Sequence, residues 1–157
     1  MVNQNFTLTI TLDQSPAEVF KAVTNVRGWW CNNLTGETAK AEAEFEVRFA
    51  DIHYSRQKVT NIIPEKKIEW LVTDSYLSFL ANKNEWTGTT ISFDITTNAA
   101  QTQMTFTHLG LTNNIECYEA CSNAWTDYLQ NSLLKLITTG KGEPYKKETE
   151  PSSSVNQ

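Results

Sequence analysis

The stretch 113–139 constrains this chain more than any other. Wound at 3.6 residues per turn, Tyr118, Cys121, Trp125, Tyr128, Leu129, Leu133 and Leu136 fall on one stripe. Glu116, Glu119, Asn123, Asp127, Gln130 and Asn131 fall away from it. Asn113 followed by Glu116 reads as a capping-box-like start and Gly140 as the stop, with a second start open at Ser122. Such a helix is roughly 40 Å long. Burying about six of those large side chains contributes on the order of 10 kcal/mol gross, comparable to the net stability of a whole domain, about 5–15 kcal/mol. A rod of this kind demands a large apolar surface opposite it.

The rest of the chain can supply that surface. Phe6, Leu8, Ile10 and Leu12 alternate with Thr7, Thr9 and Thr11, the period of a half-buried strand. The same period runs through 44–49, 68–73, 91–96 and 104–108, and more weakly through 54–62. Short turns, such as Pro64-Glu65-Lys66-Lys67, join these runs, so the sheet is expected to be antiparallel. Between the first strand and the rest, Ser15-Pro16-Ala17-Glu18 is a helix start: Ser15 caps, Pro16 suits the first helical position and Glu18 closes the box. Trp29-Trp30 predicts a second short helix or turn with at least one ring buried. Residues 34–42 read as a loop, and 75–85 as an apolar one containing Tyr76, Leu77, Phe79 and Leu80. The predicted class is α+β: a curved antiparallel sheet of about six strands wrapped around one long C-terminal helix, with two short helices after the first strand. Residues 1–144 read as a single domain and 145–157, rich in Lys, Glu, Ser and Asn, as a disordered tail.

Charge and motifs remove several functions. The net charge is −5 and the basic residues are scattered, which disfavours nucleic acid. No apolar run reaches the length of a membrane span. There is no basic start followed by an apolar stretch, and the three cysteines have no framework spacing. Free thiols and a cytoplasmic location are therefore expected. No phosphate-binding glycine loop or nucleophile elbow is present, and no cofactor is expected.

The ordered motifs resemble those of the helix-grip (SRPBCC) superfamily, which includes START domains and the birch-pollen allergen. The branch most similar is that of the activators of the heat-shock-protein-90 ATPase, in their C-terminal domain. Asp13 to Val23 resembles its capped first helix, Gly28-Trp29-Trp30 its second short helix, and Phe45-Glu46-Val47-Arg48-Phe49 its second strand. Pro64 to Trp70 resembles its turn into a strand ending near Trp, and Thr105 to Leu111 its last strand. Ala124-Trp125-Thr126-Asp127-Tyr128-Leu129, with Leu133 and Leu136, resembles its Trp-headed final helix. The family usually has Gly where this chain has Ala124, and the loop 75–85 is longer than usual. The resemblance implies a fold more than a chemistry. Its members bind lipids, sterols, hormones or polyketides, and some are enzymes.

Trp30, Phe49, Trp70, Phe93, Phe106, His108, Tyr118, Trp125 and Leu129 are the candidates to line a pocket between sheet and helix; equally, they can simply fill the core. His108 shares the parity of Met104 and Phe106, and reads either as a hydrogen-bonded core histidine or as a group that contacts a ligand or handles a proton. Cys117 and Cys121 lie four apart on the helix and could join His53 or His108 in a metal site, but two buried small residues is the simpler account and no metal is expected. No catalytic constellation is readable. Non-enzymatic binding of a small hydrophobic or amphipathic molecule is the leading expectation. A protein-interaction module with a chaperone or other protein partner, and a cyclase or hydratase using His108, are the alternatives. The oligomeric state is open between monomer and homodimer.

Overall fold

The computed structural model describes residues 5–146 of the chain. Seven strands form one curved antiparallel sheet: β1 (Phe6–Leu12), β2 (Leu34–Gly36), β3 (Glu44–Phe49), β4 (His53–Ile63), β5 (Lys67–Leu77), β6 (Thr90–Asn98) and β7 (Gln101–Leu109). Their order is β1-β7-β6-β5-β4-β3-β2, so the last six make a meander and β1 closes beside β7. Two short helices, α1 (Pro16–Thr24) and α2 (Val26–Trp29), follow β1. The C-terminal helix is α3 (Tyr118–Asp127), a π-helical turn (Tyr128–Leu133) and α4 (Leu134–Thr139).

Local chemistry explains most of these elements. The Ser15 hydroxyl accepts from the Glu18 N–H at 3.2 Å while the Ser15 N–H donates to Glu18 Oε1 at 3.0 Å, the predicted capping box. Thr7 and Thr9 face Thr107 and Thr105 on the solvent side of the β1–β7 pair, with hydroxyl contacts of 3.2 Å. Gly140, at φ +87°, ends the last helix in the left-handed conformation that glycine adopts without strain.

The structure departs from expectation at four places. Residues 34–36 form β2 on the sheet edge; three residues are too few to show a period, which is why 34–42 reads as a loop. β5 continues to Leu77, so the loop proper is 78–89. Between Arg56↔Asp74 and Gln57↔Val72 the register shifts by one residue. That bulge changes the parity: Val72 points inward, then Ser75 and Leu77 do. A period-two pattern that changes phase mid-strand does not read as one strand.

Third, the final helix starts at Tyr118, not at 113, and Ser122 lies buried inside it. Glu116 closes no capping box. Instead the Glu85 carboxylate accepts from the Glu116 and Cys117 N–H groups at 2.9 and 3.0 Å, satisfying amide donors at the helix start from a distant loop. Fourth, the sulfurs of Cys117 and Cys121 are bonded to each other, with Cα atoms 5.5 Å apart, where free thiols were expected. Positions four apart share a helix face, which brings the two side chains together. Cys31 is the buried free thiol.

The helix lies across the concave face. Cys121, Trp125, Leu129, Leu133 and Ile137 are its buried apolar residues, at a spacing of four. On a 3.6-residue helix that spacing drifts by about 40° per step. The π-helical turn, with more residues per turn, takes up part of the drift and brings Ile137 rather than Leu136 inward. Ser132, within that turn, donates its hydroxyl to Trp29 C=O at 2.6 Å and accepts from the Glu143 N–H at 2.8 Å. These bonds tie the helix to α2 and to the segment after it. Tyr145 then bridges back to the backbone of Trp30 and Asn32. The remainder of the expected tail, 147–157, lies outside the described residues.

Candidate functional site

The concave face is full at its centre and open at one end. Trp70, Phe93 and Phe106 are completely buried and pack with Trp29 beneath the helix, whose Leu129 is completely buried as well. At the open end lies a pocket of about 210 Å³. The β3–β4 turn contributes Phe49, Ile52 and His53. The end of β5 and its loop contribute Leu77, Phe79 and Trp86. The helix contributes Ala120, Cys121, Ala124, Trp125 and Tyr128, and Trp30 completes the lining. No Lys, Arg, Asp or Glu borders it.

Four indoles stack in a ladder that leads from the core to this pocket. Trp70 lies on Trp30 (centroids 5.9 Å apart, planes at 15°), Trp30 on Trp125 (4.9 Å, 28°) and Trp125 on Trp86 (5.9 Å, 12°). Offset stacking of this kind adds about 0.5–1.5 kcal/mol per pair beyond burial. It also gives the pocket rigid, flat walls.

Two histidines flank Trp86 edge-to-face, His53 at 4.7 Å and His108 at 4.8 Å. His108 is fully buried and both its nitrogens are engaged. Trp125 Nε1–H donates to Nδ1 at 3.0 Å, so the imidazole proton sits on Nε2, which faces Thr89 Oγ1 at 2.9 Å. Thr89 in turn donates to Trp86 C=O at 2.6 Å. Burial, reinforced by the nearby His53, holds the His108 pKa down at about 3, and burial does the same for His53. Burial also pushes the Tyr128 hydroxyl up to about 12, helped by Cys31, Asp127 and Tyr145.

His53 begins an inward-facing polar row on β4. Its Nε2 meets Ser55 Oγ at 2.8 Å, and Gln57 Nε2 donates to the same oxygen at 2.6 Å. Those polar inward residues are why β4 shows so weak a period in the sequence. Three buried polar atoms have no partner among the described residues: Gln57 Oε1, Trp70 Nε1 and Trp86 Nε1.

The loop 78–89 walls one side of the pocket and is held by exchanged carboxylates. Glu85 caps the helix start, as above. The Glu116 carboxylate accepts from the Ala81 and Asn82 N–H groups, at 2.9 to 3.3 Å. Leu80 and Trp86 anchor the loop inward, while Phe79 stays 49% exposed.

Of the nine residues expected to line a site, Trp30, Phe49 and Trp125 border the pocket. Trp70, Phe93, Phe106, His108 and Leu129 lie in the packed interior behind it, and Tyr118 is half-buried on the helix flank. Trp86, His53, Ile52, Leu77, Phe79 and Ala124 join the lining without having been singled out for it. The apolar loop 75–85 was the visible signal for Leu77 and Phe79. Trp86 follows a polar run, 82–85, and carries no period. Among the described residues no three of His, Cys, Asp and Glu come together as a metal set, and no helix is long and apolar enough to cross a membrane.

The sequence model of the family described as Activator of Hsp90 ATPase homolog 1-like protein matches residues 13–138. Among curated proteins no match was found. Of solved structures, the Aha1 dimer from Colwellia psychrerythraea is 28% identical, with a TM-score of 0.71 over 90% of this chain and 100% of that one. DynU16, a putative protein of the dynemicin biosynthetic locus, is 17% identical, with a TM-score of 0.64 over 87% of this chain and 48% of that one. A Bacillus halodurans protein is 16% identical, with a TM-score of 0.64 over 87% and 99%. The last two likenesses show the shared fold alone.

Proposed function

We propose that this chain, which belongs to the family of Activator of Hsp90 ATPase homolog 1-like proteins, binds one small apolar or amphipathic molecule in the pocket at the open end of its sheet, without transforming it. The observation that carries this reading is an uncharged, aromatic-walled pocket at the end of an otherwise solid interior. Its titratable neighbours support binding over a cyclase or hydratase. His53 stays neutral with a pKa of about 3, the Tyr128 hydroxyl sits near 12, and Cys121 is paired. General acid–base catalysis works best with a group near the operating pH. His108, on which an enzymatic role would rest, lies behind the pocket with both nitrogens occupied.

The test is a titration with toluene, indole and 1-octanol, followed by tryptophan fluorescence. The exposed Ala124, which borders the pocket, offers a blocking variant, Ala124→Phe. A saturable change in the wild type that the variant abolishes supports the reading. Silence from all three probes, or equal binding by the variant, removes it.

A second reading has its own observation. Ile52, Tyr76 and Phe79 are 54%, 47% and 49% exposed around the β3–β4 turn and the 78–89 loop. Such a rim fits a protein partner, either a chaperone ATPase or a second copy of this chain. Sedimentation of the wild type beside Ile52→Asp and Phe79→Asp, with a chaperone ATPase assay in parallel, examines both partners. A monomer at high concentration together with an unchanged ATPase rate would end this reading.

A further inference from the structure

Two N–H donors stand at the pocket, on His53 and Trp86. Gln57 Nε2 donates to Ser55 Oγ, and the serine's own proton can then go to His53 Nε2. In that arrangement the imidazole hydrogen is on Nδ1, for which there is no acceptor among the described residues. Trp86 Nε1 is a second N–H, buried and unpartnered. The two rings touch, with centroids 4.7 Å apart, and both border the same pocket. Trp86 Nε1, buried and unmatched, carries its full desolvation penalty, and His53 is half-buried beside it.

Size and charge narrow the occupant further. At about 210 Å³ the pocket lies below the roughly 300–1,000 Å³ typical of sites for drug-sized ligands, and above the ~150 Å³ cavity known to hold benzene. One ring with a short substituent fits; a sterol or a long acyl chain does not. No cation borders the pocket and His53 is neutral, so a carboxylate would enter without a counter-charge.

We infer that the pocket selects a neutral, one-ring aryl carbonyl compound (a ketone, aldehyde or amide) whose oxygen accepts from His53 Nδ1–H and Trp86 Nε1–H. This rests on the pocket-binding reading and adds to it the chemistry of the ligand. The flat indole walls take the ring, and the carbonyl oxygen, with two lone pairs, answers both donors.

Acetophenone, ethylbenzene and benzoate are the probes, titrated by calorimetry and by the indole N–H cross-peaks in a ¹⁵N spectrum. Acetophenone should bind about tenfold more tightly than ethylbenzene, as one good net hydrogen bond gives, and benzoate more weakly than either. The Trp86 indole cross-peak should move with acetophenone and stay nearly still with ethylbenzene. Trp86→Phe and His53→Phe should each bring the ratio of acetophenone to ethylbenzene affinity toward one. The wild-type comparison stands even where a variant does not fold. Equal affinity for acetophenone and ethylbenzene overturns the inference while the pocket reading survives. An imidazole ¹⁵N pattern with the His53 hydrogen on Nε2 also overturns it. If none of the three probes binds, or binding persists in Ala124→Phe, the pocket reading itself falls and this inference with it.

Discussion

One helix covers two kinds of interior. Over β6 and β7 it meets Phe93 and Phe106, drawn from strands whose period never breaks, and both rings are completely buried. Over the far end of β4 and β5 it meets His53, Ser55 and Gln57 on one strand, and on the other a bulge that changes which residues point in. The first region is held by apolar contact in all directions. The second is walled by a loop whose ties are carboxylates on backbone N–H groups. A side chain therefore carries stability in proportion to how completely it is surrounded, and room for a ligand survives only where strand periodicity lapses.

That contrast can be broken, or made sharper, by four measurements. Phe93→Ala should have the largest effect. Phe93 packs against Trp29, Trp70 and Phe106 with centroids 5.1–5.9 Å away, and its loss should cost about 3–5 kcal/mol in urea unfolding. A cost below about 1 kcal/mol would mean that the closed region is not closed.

His108→Phe comes next. It keeps the bulk but strands the Trp125 N–H, for about 1–3 kcal/mol. It should also change the response to acid. Burial holds the folded-state pKa at about 3, below the ordinary 6.5. The unfolded chain thus binds the extra proton between those values. This contribution is complete above pH 6.5 and is lost as the pH falls toward 3, at about 1.4 kcal/mol per pH unit. The variant should show a shallower loss of stability between pH 6 and 4. An unchanged slope would mean that His108 is not held neutral.

Glu85→Ala should cost about 1 kcal/mol, as a lost helix cap does. Its more telling readout is hydrogen exchange, which should speed up at the Glu116 and Cys117 amides and through the 78–89 loop, while β6 and β7 stay protected. Uniform acceleration would show that the two regions open together. Smallest of all, Phe79→Ala should lie within about 0.5 kcal/mol of the wild type, since half of that ring already faces water. A much larger cost would place Phe79 inside a contact that the isolated chain does not display.

Much of the frame was legible beforehand. The Ser15–Glu18 box, both short helices, the alternating strands and the stripe of Cys121, Trp125, Leu129 and Leu133 all follow from spacing and cap chemistry. The membership of Trp30, Phe49 and Trp125 in the pocket wall follows only in part, because the same residue types also pack the core. The sequence offers His53 only as a possible metal partner, since nothing in one strand says which residue of another it will face. Trp86, between a polar run and a turn, had no pattern to announce it.

What the sequence determined by itself, then, is which faces are apolar, and so that a bent sheet must grip the final helix. Periodicity and capping are local, and a few neighbouring residues settle them. Where that grip is tight and where it leaves space was decided only in three dimensions. The bulge at Thr73 and the π-helical turn at Tyr128–Leu133 decide which side chains point inward, and the Glu85 and Glu116 carboxylates join the loop to the helix start. A void is the remainder after many non-local volumes have been fitted together, and no single stretch of chain contains that sum.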